Sequence, residues 1–237
     1  MARVARRLGV SRATLWTIRV ELEGAWVRAR STVWPPARLA LAALRRRRDL
    51  LVNVASGPFV LPGFVNLELR GYDPAIVRWD CRRSLPLAPG SCAGIRLEQW
   101  VEHLDPRDEL PDLLASCLRA LGPGGVIRII VPDTRRYLAA YLAGGREGFD
   151  ALAVPDPLPA DLPAPLDVVN HVFHQWGEHR WAYDLETLAW RLREAGFTDV
   201  RQARYRESRL PALAADREQH APYSLYVEAV RPPEHAS

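Results

Sequence analysis

At 237 residues, with 48% hydrophobic and 25% charged residues, the chain suits one α/β domain with additions and excludes a disordered or fibrous protein. No run of eighteen apolar residues exists, and the arginine-rich N-terminus lacks the apolar stretch and small-residue cleavage site of a signal peptide, so neither a membrane span nor export is expected and the location expected is cytoplasmic. The net charge of +4 is uneven: residues 1–48 hold 12 Arg against 2 Glu, a balance of +10, and the remainder holds 20 Arg against 26 Asp and Glu, a balance of −6.

Residues 1–48 therefore read as a basic helical leader. Its stretch Val4–Trp16, "VARRLGVSRATLW", resembles the middle of a helix-turn-helix, with Ala5, Gly9 and Ser11 at the small, turn and capping places. The start near Met1 leaves no scaffold helix before it, so nucleic acid is not the expected partner. A basic amphipathic helix lying on the main domain or on an anionic surface is the preferred reading.

From Leu50 the pattern changes to short apolar runs. "LLVNVA" ends at Ser56-Gly57-Pro58 and reads as a buried parallel strand. Residues 64–69, 75–80 and 93–99 read as three further strands. Residues 105–121 read as a helix capped by Asp105, with Leu110, Leu113, Leu114, Leu118 and Leu121 on one face and Gly122-Pro123-Gly124-Gly125 as its stop. "VIRIIVPD", 126–133, is another strand. Residues 144–165, rich in Gly, Pro, Asp and Ala, read as an irregular insertion that includes the Pro-rich 154–166. A helix over 184–197, capped by Asp184 and ended by Gly196, precedes two closing strands.

Strands alternating with helices predict an α/β, mostly parallel, doubly wound sheet, in which ligands sit beyond the carboxyl ends of the strands. After the first strand, Ser56 and Gly57 offer amides and little bulk. Glu68 ends the second strand, where a carboxylate accepts from vicinal ribose hydroxyls, and Asp80 ends the third, where it can accept from an adenine amino group. Each alone is equally a solvated turn residue. Their succession at strand ends is what points to a nucleotide. Cys81, Cys92 and Cys117 are odd in number and without CxxC spacing, as expected of reduced thiols rather than a disulfide frame or a zinc site.

With Pro62-Gly63-Phe64-Val65-Asn66-Leu67-Glu68, Glu102-His103-Leu104 and the stretch Leu121–Asp133, the chain resembles the class I S-adenosylmethionine-dependent methyltransferases. The nearest branch is the methyltransferase type 11-like group, met beside polysaccharide and natural-product genes. The resemblance covers roughly residues 50–231. It implies a seven-stranded Rossmann-like sheet over residues 49–232, an insertion or acceptor lid over 144–182 and a tail over 233–237. It also implies S-adenosylmethionine as cofactor and transfer to oxygen or nitrogen of a small molecule or saccharide, the acceptor partner. A silent, repurposed member acting through binding is the alternative, and a DNA-binding regulator using the leader is a third.

By the same resemblance Ala55, Ser56 and Gly57 would pass the amino-acid end of the cofactor, Glu68 the ribose and Asp80 the adenine. Leu97, Glu98 and Gln99 would line the methyl end. Two positions depart from the family. Gly-x-Gly is Ala55-Ser56-Gly57 here, tolerable provided Ala55 avoids positive φ, and the acidic residue expected before the fourth strand is replaced in Ser91-Cys92-Ala93. Candidate bases are His103, His171 and His179. The spacing of His171, His174 and His179 has no recognised zinc frame, and no metal is expected. An acceptor lid and a simple packing of Trp176 and Trp181 both remain open for this segment.

Overall fold

The computed structural model describes residues 9–144, 147–150, 152 and 164–233. Ala5 of the helix-turn-helix reading and nearly all of the Pro-rich 154–166 stretch lie outside these residues.

Seven strands form one sheet in the order β3-β2-β1-β4-β5-β7-β6. They are β1 (Leu50–Val54), β2 (Phe64–Glu68), β3 (Ile76–Arg78), β4 (Cys92–Glu98), β5 (Leu121–Pro132), β6 (Thr198–Ala203) and β7 (Ser224–Val230). The first five pair in parallel, and β7 runs antiparallel to both β5 and β6. This is the mostly parallel, seven-stranded Rossmann-like sheet that the sequence implies. Around it stand α1 (Arg12–Val33), α2 (Pro35–Arg46), α3 (Glu109–Ala120), α4 (Thr134–Ala143), the single turn α5 (Glu147–Asp150), α6 (Pro165–His174) and α7 (Leu185–Glu194).

Local chemistry sets these boundaries. The Ser11 side chain accepts from the Thr14 amide and caps α1. Pro35 forbids helical φ/ψ at Trp34, whose extended backbone separates α1 from α2. Asp184 caps α7 through the Thr187 amide, as the sequence predicts. The helix expected from Asp105 starts later, at Glu109, because the Asp105 carboxylate turns back on the Arg107 and Asp108 amides. Asp133, read as a turn residue, is the cap of α4 and accepts from the Arg135 amide.

One face of the sheet is apolar. Val52, Val54, Leu67, Ile95, Leu97, Ile127, Ile129 and Val227 meet Leu110, Leu113 and Leu114 of α3 and Leu188 and Leu192 of α7 in a single buried cluster. A smaller cluster joins Tyr137, Phe149, Val168, Val169 and Tyr223.

The opposite face carries a row of polar side chains in register across six strands. Asn66 pairs with Asn53, Asn53 with Arg96, Arg96 with Arg128, Arg128 with Glu228, and Glu228 with Arg201. The fully buried Arg128 has all five of its N–H groups satisfied, by Asp216, Glu228 and the carbonyls of Arg204 and Glu207. The segment that supplies Asp216 and the two carbonyls, residues 204–216, also brings Leu210 and Leu213 against Gly94, where a Cβ would lie 2.6 Å from Leu210.

That row explains the missing helix after β1. The Asn53 amide donates to the Phe59 carbonyl at 3.0 Å and to Asn66 Oδ1 at 3.0 Å, while Asn66 exchanges hydrogen bonds with both backbone groups of Leu61. Two buried asparagines thus hold residues 55–63 as a short return to β2, in the place a helix would occupy.

Candidate functional site

The strand order reverses between β1 and β4, and a cavity of about 320 Å³ opens at the carboxyl ends there, where ligands of such sheets bind. Ala55, Ser56, Gly57, Glu68, Asp80, Glu98, Gln99 and His103 all line it. Leu97 does not: it is fully buried in the core cluster, on the face opposite Arg96 and Glu98, because side chains alternate along β4.

Glu68 is held at the wall by two amides, Gly57 N–H to Oε2 at 3.0 Å and Arg70 N–H to Oε1 at 3.1 Å. A carboxylate offers roughly four acceptor sites, so Glu68 retains capacity for two more donors. Gly57 adopts φ +54 with nothing within 4 Å of where a Cβ would stand, so the backbone lies open to the cavity. Ala55, tolerable in place of glycine only away from positive φ, adopts φ +51.

Two other expected contacts are already occupied. Asp80 takes Arg82 Nε at 2.9 Å and Nη2 at 2.9 Å, the Arg82 amide at 3.3 Å, and Arg28 of α1. Burial opposes its ionisation, but the Arg82 hydrogen bonds outweigh this and hold its carboxyl below the usual range. Glu98 takes His220 at 2.9 Å, Arg96 at 2.6 Å and the Arg217 amide at 3.2 Å. Burial again opposes ionisation, and His220 with Arg96 and Arg217 brings Glu98 down to about 2. Both carboxylates are structural anchors rather than free acceptors.

The leader helix forms the outer wall. Trp16 and Val20 of α1 line the cavity, Glu21 pairs with Arg82, Glu23 with Arg70 at 2.8 Å, and Arg28 with Asp80. At its N-terminal end Ala13 sits under Gly177, which places the start of α1 against the protein. Its charges face the domain in both senses, acids onto arginines and arginine onto acid. A basic face turned outward is therefore only part of its chemistry.

Of the three candidate histidines, the structure joins two. His103 and His179 stand with ring centroids 4.7 Å apart, edge to face, and His171 packs on Trp176. The Nδ1 of His103 lies 3.0 Å from the Glu178 carbonyl and that of His179 lies 2.6 Å from the Val172 carbonyl. A carbonyl only accepts, so each Nδ1 carries the proton and each lone pair is left on Nε2. Burial, then the neighbouring His179, lowers His103 to about 3, and burial lowers His179 to about 4.

Glu102 completes this group, and sequence reasoning missed it. It is 2% exposed, its carboxylate oxygens have no hydrogen-bond partner among the described residues, and burial raises its carboxyl to about 8. Its carbonyl accepts from the Arg180 and Trp181 amides, which brings the His179 loop against the turn Val101–His103. The signal was present in "E-H-L", where attention falls on the histidine alone.

No family model matches the chain, and no curated protein does. Among solved structures, the chain is similar to the S-adenosylmethionine-dependent methyltransferase SibL at 17% identity and a TM-score of 0.43, covering 86% of this chain and 56% of that one. A SAM-dependent methyltransferase of Thermotoga maritima matches at 16% identity and a TM-score of 0.47, covering 91% and 99%. One from Mesorhizobium loti matches at 16% and 0.46, covering 81% and 96%. This chain thus spans a little over half the length of SibL.

Proposed function

We propose that this chain is a methyltransferase that uses S-adenosylmethionine and methylates oxygen or nitrogen of a small molecule or saccharide. The cavity beyond β1 and β4, with Glu68 fixed at its wall by the Gly57 and Arg70 amides, supports this most directly.

The residues fit the group at its ribose and amino-acid ends. Glu68 would hold the ribose hydroxyls, and Ser56 and Gly57 would flank the amino-acid end. Gln99 would stand at the methyl end, while Leu69 and Trp79 offer the apolar surface for the purine in place of Asp80. The cofactor supplies, when bound, a methyl group already activated on a sulfonium. The chain's own part is to orient the acceptor and exclude water. Trp16 and Val20 close the outer side, and His103 stands at the same wall.

Calorimetric titration of S-adenosylmethionine and S-adenosylhomocysteine into the full chain tests this, with Glu68→Ala as control. Micromolar binding, weakened at least about tenfold in the variant, is expected. Folded wild-type protein that binds neither compound would overturn the reading.

A silent member of the same fold is the second reading. The occupied carboxylate of Asp80 and the left-handed Ala55 favour it. Binding of both compounds, without methyl transfer to any of a panel of phenols, amines and sugars, is the outcome that would select it.

A further inference from the structure

Glu102, His103 and His179 each bring a donor atom to within 4.8 Å of the other two. Three features make this a built site rather than a chance meeting. Both imidazoles are oriented by Nδ1–H bonds to carbonyls, the usual support of a metal-binding histidine, which leaves Nε2 to bind. Glu102 is buried and its two oxygens have no partner among the described residues. A buried carboxyl without partners is costly in either protonation state. And the two chain segments are stitched together by the Arg180 and Trp181 amides on the Glu102 carbonyl, so the donors are held together before any ligand arrives.

We infer that Glu102, His103 and His179 bind a first-row divalent cation of the zinc type. Two neutral imidazoles and one carboxylate form the three-protein-ligand set that leaves a fourth position open. A tetrahedral ion with bonds of about 2.1 Å needs donors about 3.4 Å apart, so small side-chain movements complete the site. His103 belongs to the wall of the cavity beyond β1 and β4, whereas Glu102 and His179 line a separate small pocket. His103 is the ligand shared with the former cavity, and the fourth ligand inferred is an oxygen atom of the molecule bound there. The ion site itself stands apart from the methyl-transfer reading; its ligand being the methyl acceptor rests on that reading.

The test is titration of Zn²⁺ into the chelator-stripped full chain by calorimetry, with Co²⁺ absorption reporting coordination geometry. Wild type is expected to bind one ion tightly, with a tetrahedral Co²⁺ spectrum. His179→Ala should weaken binding on the order of 100-fold, and His174→Ala should leave it unchanged. Glu102→Gln keeps the shape and guards against misfolding: it should fold as wild type and still lose the ion. Absence of binding to folded wild type overturns the inference, as does equal binding by wild type, His179→Ala and Glu102→Gln. Glu68→Ala should bind the ion normally, so failure of the cofactor reading and failure of the ion site are told apart.

Discussion

Gly24 of α1 lies directly over Asp80: a Cβ at Gly24 would stand 2.5 Å from Asp80 Oδ2 and 2.6 Å from Arg82 Nη2. The helix approaches this closely because Arg28 and Glu21 of the same helix share the cluster. Gly24→Leu should push α1 off, with a loss of about 2 kcal/mol net of the better helix propensity of leucine. Urea unfolding measures it; an unchanged midpoint would show that the ion cluster moves aside freely.

Ala55→Gly should stabilise the protein. Alanine at φ +51 carries strain that glycine does not, about 1 kcal/mol, or a rise in melting temperature of about 2–4 °C at this chain length. A fall instead would mean that the packing of the Ala55 methyl on the core outweighs its backbone strain.

Glu98 makes stability depend on acid. Its folded value of about 2 lies below the ordinary 4.5, so its contribution is complete above about pH 5 and is lost as pH falls toward 2. The full effect is about 3 kcal/mol. Wild type should exceed Glu98→Gln in stability at pH 7, and the gap should narrow steadily in urea titrations taken down to pH 3. A gap independent of pH would assign the loss to packing.

Asn66→Leu should unfold the short return after β1. It leaves the Asn53 amide and the Leu61 N–H without their buried acceptor, at about 2–4 kcal/mol. Hydrogen exchange gives the sharper readout: the Leu61 amide should lose protection while those of β5 keep theirs.

Much of the sheet could be read from the chain because buried parallel strands are short apolar runs between turn residues, and β1, β2, β4 and β5 have that form. The acidic ends of β2 and β3 were visible too, but not their occupancy. Asp80 is taken by Arg82, two residues on, whose side-chain direction the sequence does not show, and by Arg28, which is remote in sequence and arrives only when α1 docks. The polar row was hidden for a related reason: Asn53, Arg96 and Arg128 each look like an interruption of an apolar run until register sets them side by side. The pairing of His103 with His179 likewise depends on a loop whose return is fixed by backbone amides, which carry no residue-type signature.

Arg128 has a consequence for the order in which the protein is made. Its two acidic partners, Asp216 and Glu228, are both encoded downstream. While β1 to β5 emerge from the ribosome, β5, an interior strand of the future sheet, holds a guanidinium without its acidic partners, and a dry core cannot close over it. The nascent parallel half therefore stays hydrated on that face until residues 204–228 arrive, and a chain released before Asp216 carries an unneutralised charge that marks it as incomplete.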